Sequence, residues 1–134
     1  MFHRVGMAVF NEEKLLMVRK KGSTHWQIPG GHIEEGETPI EALTRELRDE
    51  LQVAVDEQGL REVGEFRDRA YDSDEEFRLT LYAGDIVGAP TPSSEIREYI
   101  WFDGHLRNGD LPPMFVNHVQ PALREALGWQ GAAQ

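Results

Sequence analysis

The stretch from Gly31 to Val53, GHIEEGETPIEALTRELRDELQV, constrains this chain more than any other part of it. Thr38 can cap a helix, Pro39 occupies a first-turn position that tolerates a missing N–H, and Glu41 completes a Thr-x-x-Glu capping box. A helix over Thr38 to Leu51 follows. At about 100° per residue, Ile40, Leu43, Leu47 and Leu51 fall within roughly 80° of arc, which makes them the core-facing stripe. Glu46, Asp49 and Glu50 share an arc of about 100° directly beside that stripe, while Glu41, Thr44, Arg45 and Arg48 take the opposite side. The three acids are therefore expected to border the core.

Each like-charge pair at i,i+3 or i,i+4 costs about 0.2 to 0.5 kcal/mol in an isolated helix, and partial desolvation adds to it. A bound cation reverses the sign. Three converging carboxylates offer hard oxygen ligands, which suit Mg²⁺ or Mn²⁺ better than zinc. The competing reading is a solvated acidic face balanced by Arg45 and Arg48.

The rest of the chain sets the frame. Its 134 residues suit one domain, and no apolar run approaches the roughly 20 residues of a membrane span. Val5 to Phe10 is too short, and lacks the cleavage pattern, for a signal peptide. The chain has no cysteine, so disulfides, thiol nucleophiles and thiolate zinc sites are excluded. A cytoplasmic location is expected. The net charge of -10 argues against nucleic acid as a partner, because a phosphate backbone is best met by a basic stripe.

Arg4 to Phe10 and Lys14 to Arg19 read as two strands of a hairpin, joined by the turn Asn11-Glu12-Glu13. The short segment Trp26-Gln27-Ile28 runs into Pro29-Gly30-Gly31, which favours an irregular backbone. Leu60 to Asp68 and Glu76 to Val87 read as paired strands, Gly88 to Ser94 as a loop and Ile96 to Phe102 as a strand. Met114 to Leu127 is amphipathic, with Pro121 forcing a kink or a fresh helix start. Residues 128–134 are expected to fray.

The spacing of Gly31, Glu37, Arg45-Glu46-Leu47, Asp49-Glu50 and Val53 resembles the Nudix box, G-x5-E-x7-R-E-U-x-E-E-x-G-U with U aliphatic. Trp26-Gln27-Ile28-Pro29-Gly30 and the order of elements are similar to that family as well. Asp49 stands where the family usually has Glu, keeping the charge with one methylene less reach. Gln52 replaces a glycine and must turn the chain at the helix end without glycine's freedom at positive φ.

The resemblance implies an α/β fold, an α/β/α sandwich around a mixed sheet, and substrates in which a nucleoside diphosphate is linked to another group. It implies Glu46 and Glu50 as main metal ligands for Mg²⁺ or Mn²⁺, with the Gly30 carbonyl and, more weakly, Asp49. Glu37 and Arg45 would organise the loop and helix, Arg45 pairing with Glu37 or Glu41. Glu46 is favoured over Glu95 as the base that activates water. Among the basic residues ahead of the box, Arg19 leads Lys20 and Lys21 as a contact for substrate phosphates. Trp26, Phe66, Tyr71 and Tyr99 could stack on a nucleobase, the alternative for each being core or rim packing.

A small MutT-like enzyme that converts a nucleoside triphosphate to monophosphate and pyrophosphate is the leading expectation. The alternatives are a dinucleoside polyphosphate or nucleotide-sugar hydrolase, and a non-catalytic nucleotide-binding module. ADP-ribose hydrolases of the family tend to have a proline some fifteen residues past the box, whereas the first proline after Val53 is Pro90. The expected partner is a small-molecule nucleotide, with no nucleic acid and no membrane, bound by a monomer or homodimer.

Overall fold

The computed structural model describes residues 1–131, in which two helical layers enclose a layer of β-structure. In chain order the elements are β1 (Phe2–Ala8), β2 (Phe10–Asn11), β3 (Lys14–Lys20), β4 (Gly30–His32), α1 (Pro39–Leu51) and β5 (Ala54–Val55). A 3₁₀ turn (Glu57–Gly59), β6 (Arg61–Arg69), β7 (Glu76–Ala83), β8 (Ile86–Val87) and β9 (Ile96–Phe102) follow, then a π-helical turn (Phe115–Val119) and α2 (Gln120–Leu127). The largest sheet is mixed, in the order β4-β1-β7-β6, with β1 parallel to β7 and the other pairs antiparallel. β2-β3-β9 and β5-β8 form two smaller antiparallel sheets.

The strand side chains alternate between two cores. Leu16 and Val18 of β3 pack with Val5, Met7 and the α1 residues Leu43, Leu47 and Leu51; Leu15 and Met17 pack with Leu79 and Leu81 of β7, Phe115 of the π turn and Leu123 of α2. This is the α/β/α arrangement expected, produced by period-two alternation between two helical faces. Among the described residues no helix is long and apolar enough to cross a membrane.

α1 begins as its sequence demands. The Thr38 hydroxyl accepts from the Glu41 N–H at 3.1 Å and the Glu41 carboxylate accepts from the Thr38 N–H at 2.9 Å, a reciprocal cap worth about 1 kcal/mol. Its buried leucines contribute roughly 1.5–3 kcal/mol each. Gln52 ends it in the left-handed region, φ 57° and ψ 38°, with its N–H donating to the Arg48 carbonyl. A non-glycine residue there costs about 1 kcal/mol, which the packing of the helix outweighs.

Several expectations are corrected. Ile40 is 36% exposed, and Ala42 is buried in the first turns beside Leu43. The expected hairpin shrinks to the short β2-β3 ladder: the chain breaks at Val9, and β1 crosses into the mixed sheet beside β7. Glu76 to Val87 is likewise divided, β8 leaving to pair with β5. Gly30 to His32 is a strand rather than irregular backbone. Pro121 starts no new helix: the backbone stays right-handed helical through Val119 and Gln120, and the π turn just before Pro121 lies where the proline would otherwise interrupt the ladder. Trp129 is not frayed; it is 6% exposed, packs with Phe10 and Phe102, and donates its indole N–H to the Glu13 carbonyl at 2.7 Å. The remainder of the expected tail, 132–134, lies outside the described residues.

Candidate active site

Arg45 ties the loop after β4 to the first turns of α1. Its Nε donates to Glu37 Oε2 at 2.7 Å and its Nη2 to Glu37 Oε1 at 2.9 Å, a two-pronged pair, while Nη2 also reaches the His32 carbonyl at 3.0 Å. The third nitrogen, Nη1, donates to Glu46 Oε1 at 2.7 Å. The hydrogen bonds from Arg45, with a further one from the Glu34 N–H, hold the Glu37 carboxyl at about 2. Arg45 itself is pushed above the usual arginine value, first by Glu37. Glu41 is occupied in the cap, so Glu37 is the partner that Arg45 takes.

Glu46 and Glu50 project from α1 toward β4. The Glu46 carboxylate lies against Gly31 so closely that a Cβ there would sit 2.5 Å from its carboxyl carbon. Gly30 has φ +148°, and a Cβ on it would strike the Val5 carbonyl at 2.0 Å, so Gly30 is required by close approach to backbone, whereas a side chain at Gly31 would displace the Glu46 carboxylate. Glu50, 6% exposed, accepts from the Gly30 N–H at 3.1 Å. Burial pushes its carboxyl up to about 8; the Gly30 hydrogen bond opposes the rise and Glu46 adds to it. Asp49 is exposed at the rim, 3.8 Å from Arg48. These acids and the glycine pair line one cavity of about 350 Å³, together with Glu95, which pairs with Lys20 at 3.6 Å.

A second cavity, about 200 Å³, adjoins the first. Ile28, Phe77, Leu79, Met114 and Phe115 supply its apolar floor, and His25, Gln27 and Tyr71 stand at its polar side. Tyr71 donates its hydroxyl to Asp110 at 2.6 Å and stacks on His25, ring centres 4.2 Å apart. Arg4 and Lys20 line both cavities.

The sequence matches the NUDIX domain over residues 2–112. The chain belongs to the Nudix family. The E. coli ORF135 protein superposes with a TM-score of 0.74 at 24% identity, over 97% of this chain and 95% of that one, a likeness of fold. An RNA pyrophosphohydrolase of Halorhodospira halophila is 48% identical over 48 residues, 35% of this chain and 26% of that protein. A putative ADP-ribose pyrophosphatase of Bacillus subtilis is 42% identical over 43 residues, 32% of this chain and 21% of that protein. The matches to these two relatives thus span about a quarter of their length.

Within this Nudix domain Gly30 and the box residues Glu37, Arg45, Glu46, Asp49 and Glu50 come together as one unit. The donor set suits a hard divalent ion: carboxylate oxygens, a cradle at Gly31 that only glycine leaves open, and a buried Glu50 that holds its proton unless a cation stabilises the charge. Among the described residues no three acidic or histidine side chains already converge on one point, since Glu46 is turned to Arg45 and Glu50 to the Gly30 N–H.

Outside the box the expected residues fare less well. Arg19 lines neither cavity; it faces Glu98 across the β3-β9 ladder, with Nε to Oε2 at 3.2 Å, and lies 4.5 Å from the centre of the Trp26 ring. A register shift between Arg19 and Lys20 lets Lys20 take the site-facing position instead. Trp26 is 1% exposed, with its indole N–H on the Asn108 carbonyl at 2.7 Å, so no base can stack on it. Phe66 packs on the α2-side core and against His118, away from both cavities. Tyr71 alone of the four expected stacking residues stands at the apolar cavity. Arg4 is a cavity residue absent from the expectations; its one signal in the sequence is an arginine directly before the apolar run Val5 to Phe10.

Proposed function

We propose that this Nudix protein is a divalent-metal-dependent hydrolase that cleaves a nucleoside triphosphate to monophosphate and pyrophosphate. One observation carries the reading: an acid-lined cavity shares a wall with an apolar one, so a molecule with a flat, weakly polar end and an anionic end can occupy both. Glu46 and Glu50, with Asp49 at the rim, are the residues that would hold Mg²⁺ or Mn²⁺, which when bound screens the phosphate oxygens and stabilises charge on the leaving group.

The protein's own groups then divide the work. Arg45, anchored by Glu37, occupies Glu46 Oε1 and leaves Oε2 to accept a proton from the attacking water. That water adds to a phosphorus, the bridging P–O bond breaks, and pyrophosphate departs. Glu95 is more exposed and engaged by Lys20, which makes Glu46 the better base. Burial of Glu50 and the Gly30 hydrogen bond hold its carboxylate in place as charge builds.

The test is a panel of nucleoside triphosphates, nucleotide sugars, dinucleoside polyphosphates, ADP-ribose and a 5′-triphosphorylated RNA with Mg²⁺ or Mn²⁺, products resolved by chromatography. The RNA and ADP-ribose are included because the relatives matched over short stretches bear those names. Release of monophosphate and pyrophosphate from free triphosphates is expected. Turnover of the RNA alone would replace the substrate class, and absence of turnover on every compound would leave a binding module.

A further inference from the structure

We propose that Arg4, assisted by Lys20, binds the substrate phosphate nearest the nucleoside at the wall between the two cavities and thereby selects which anhydride bond the acids cleave. The inference rests on the nucleoside triphosphate reading above. Arg4 lies on β1 between β4 and β7, opposite His32 on one side and Leu79 on the other, so its backbone is fixed by both neighbours. Phe77 supports the guanidinium, with Cζ 5.9 Å from the ring centre, and Gln27 Oε1 accepts one long hydrogen bond from Nη2 at 3.4 Å.

That inventory leaves most of a guanidinium's five N–H donors for something else. Arg19, Arg45, Arg78 and Arg107 each join a carboxylate, whereas no ion pair among the described residues includes Arg4. A half-buried cation without a close counter-charge is costly, and a ligand anion removes that cost. Burial lowers the Arg4 pKa, with Glu50 and then Glu46 opposing the shift. Those two acids line the same cavity as Arg4. Lys20 reaches the same wall from β3 and is the other cation common to both cavities.

Position then gives the consequence. With the base end in the apolar cavity, the first phosphate meets Arg4 and Lys20, and the following anhydride lies over Glu46 and Glu50. A planar fork holds a phosphate by two parallel bonds and so sets its orientation as well as its affinity. Loss of the fork lets the phosphate chain slide, and attack spreads to the terminal anhydride, giving diphosphate and inorganic phosphate.

The experiment compares the wild type, Arg4→Gln and Arg4→Lys in kinetics, product ratio and binding of a nucleoside triphosphate analogue with methylene groups at both the α,β and β,γ bridges, which no attack on an anhydride can cleave, with Mg²⁺. Arg4→Gln is expected to lower kcat/KM by about 10- to 100-fold, mainly through KM and equally across bases, as expected for lost hydrogen bonds to a charged group. Its product mixture gains nucleoside diphosphate, its affinity for the analogue falls in parallel, and Arg4→Lys stands between the two. Should Arg4→Gln fail to fold, Arg4→Lys carries the test, because it keeps the charge and loses only the fork. Wild-type affinity and an unchanged product ratio in a folded Arg4→Lys, with Arg4→Gln folded and likewise unchanged or else unfolded, would reduce Arg4 to a structural counter-charge for Glu46 and Glu50. If the wild type cleaves no triphosphate at all, the proposed function fails; analogue binding that weakens in both variants would still assign Arg4 to phosphate.

Discussion

The two cavities are built in opposite ways. Around the acid-lined one, Glu37, Arg45, Glu46, Glu50, Gly30 and Gly31 lie within 21 consecutive positions and are linked by short hydrogen bonds, with Arg45 touching Glu37, Glu46 and the His32 carbonyl at once. The apolar one is assembled from β1, β7, the loops carrying His25 and Tyr71, and the π turn at Phe115, which are far apart in the chain. A local, cross-braced unit can be carried intact from one protein to another, whereas a surface made of distant loops changes with each of them. On the proposed function, the chemistry is thereby separated from the choice of substrate.

Three measurements sharpen or break that comparison, the first carrying the largest effect. Glu50→Gln should lower kcat about a thousandfold, since several kcal/mol of charge stabilisation are lost, while the amide oxygen still accepts from the Gly30 N–H. Turnover near wild type in a folded Glu50→Gln would remove Glu50 from the mechanism. On the other side, Tyr71→Phe deletes the hydroxyl bonded to Asp110 and leaves the ring on His25. A severalfold rise in KM with kcat unchanged is expected, the size of one hydrogen bond at a half-exposed edge. A fall in kcat without a change in KM would show that the two regions are not separable.

The smallest effect is in stability. Glu50 is raised from 4.5 to about 8 in the folded protein, so its contribution is fully present below pH 4.5 and is lost as pH rises toward 8. Metal-free protein should therefore melt a few degrees lower at pH 8 than at pH 5 on account of this group. Mg²⁺, bound to the native state alone, should raise the melting temperature more at pH 8, where Glu50 gives up its proton at least cost. Glu37 acts in the reverse sense, its contribution present above pH 4.5 and lost as pH falls toward 2. Calorimetry of the wild type and Glu50→Gln isolates the first effect, and an identical pH slope in both would contradict it.

What was legible in the chain follows from how far its determinants reach. The capping box at Thr38 and Glu41, the leucine stripe and the placement of Glu50 beside it all depend on spacings within one helix, and each stands as read. Ile40 departs because helical spacing gives the face of a residue but not how far the neighbouring layer reaches over it. Arg19 and Lys20 exchange roles through a one-residue irregularity in the β3-β9 ladder, and a shift of one residue turns every later side chain to the other face. Trp26 and Trp129, read as a stacking residue and part of a loose tail, are buried because Asn108 and Glu13 offer their indoles carbonyl partners far away in the sequence.

The sequence by itself determined the capped helix, its buried stripe and the box spacing, because helical geometry repeats every 3.6 residues and needs no distant partner. Tertiary structure alone decided that β1 runs parallel to β7, and with it that Arg4 stands where two cavities meet. Parallel pairing joins residues separated by most of the chain, and its register is set by the packing of both faces at once.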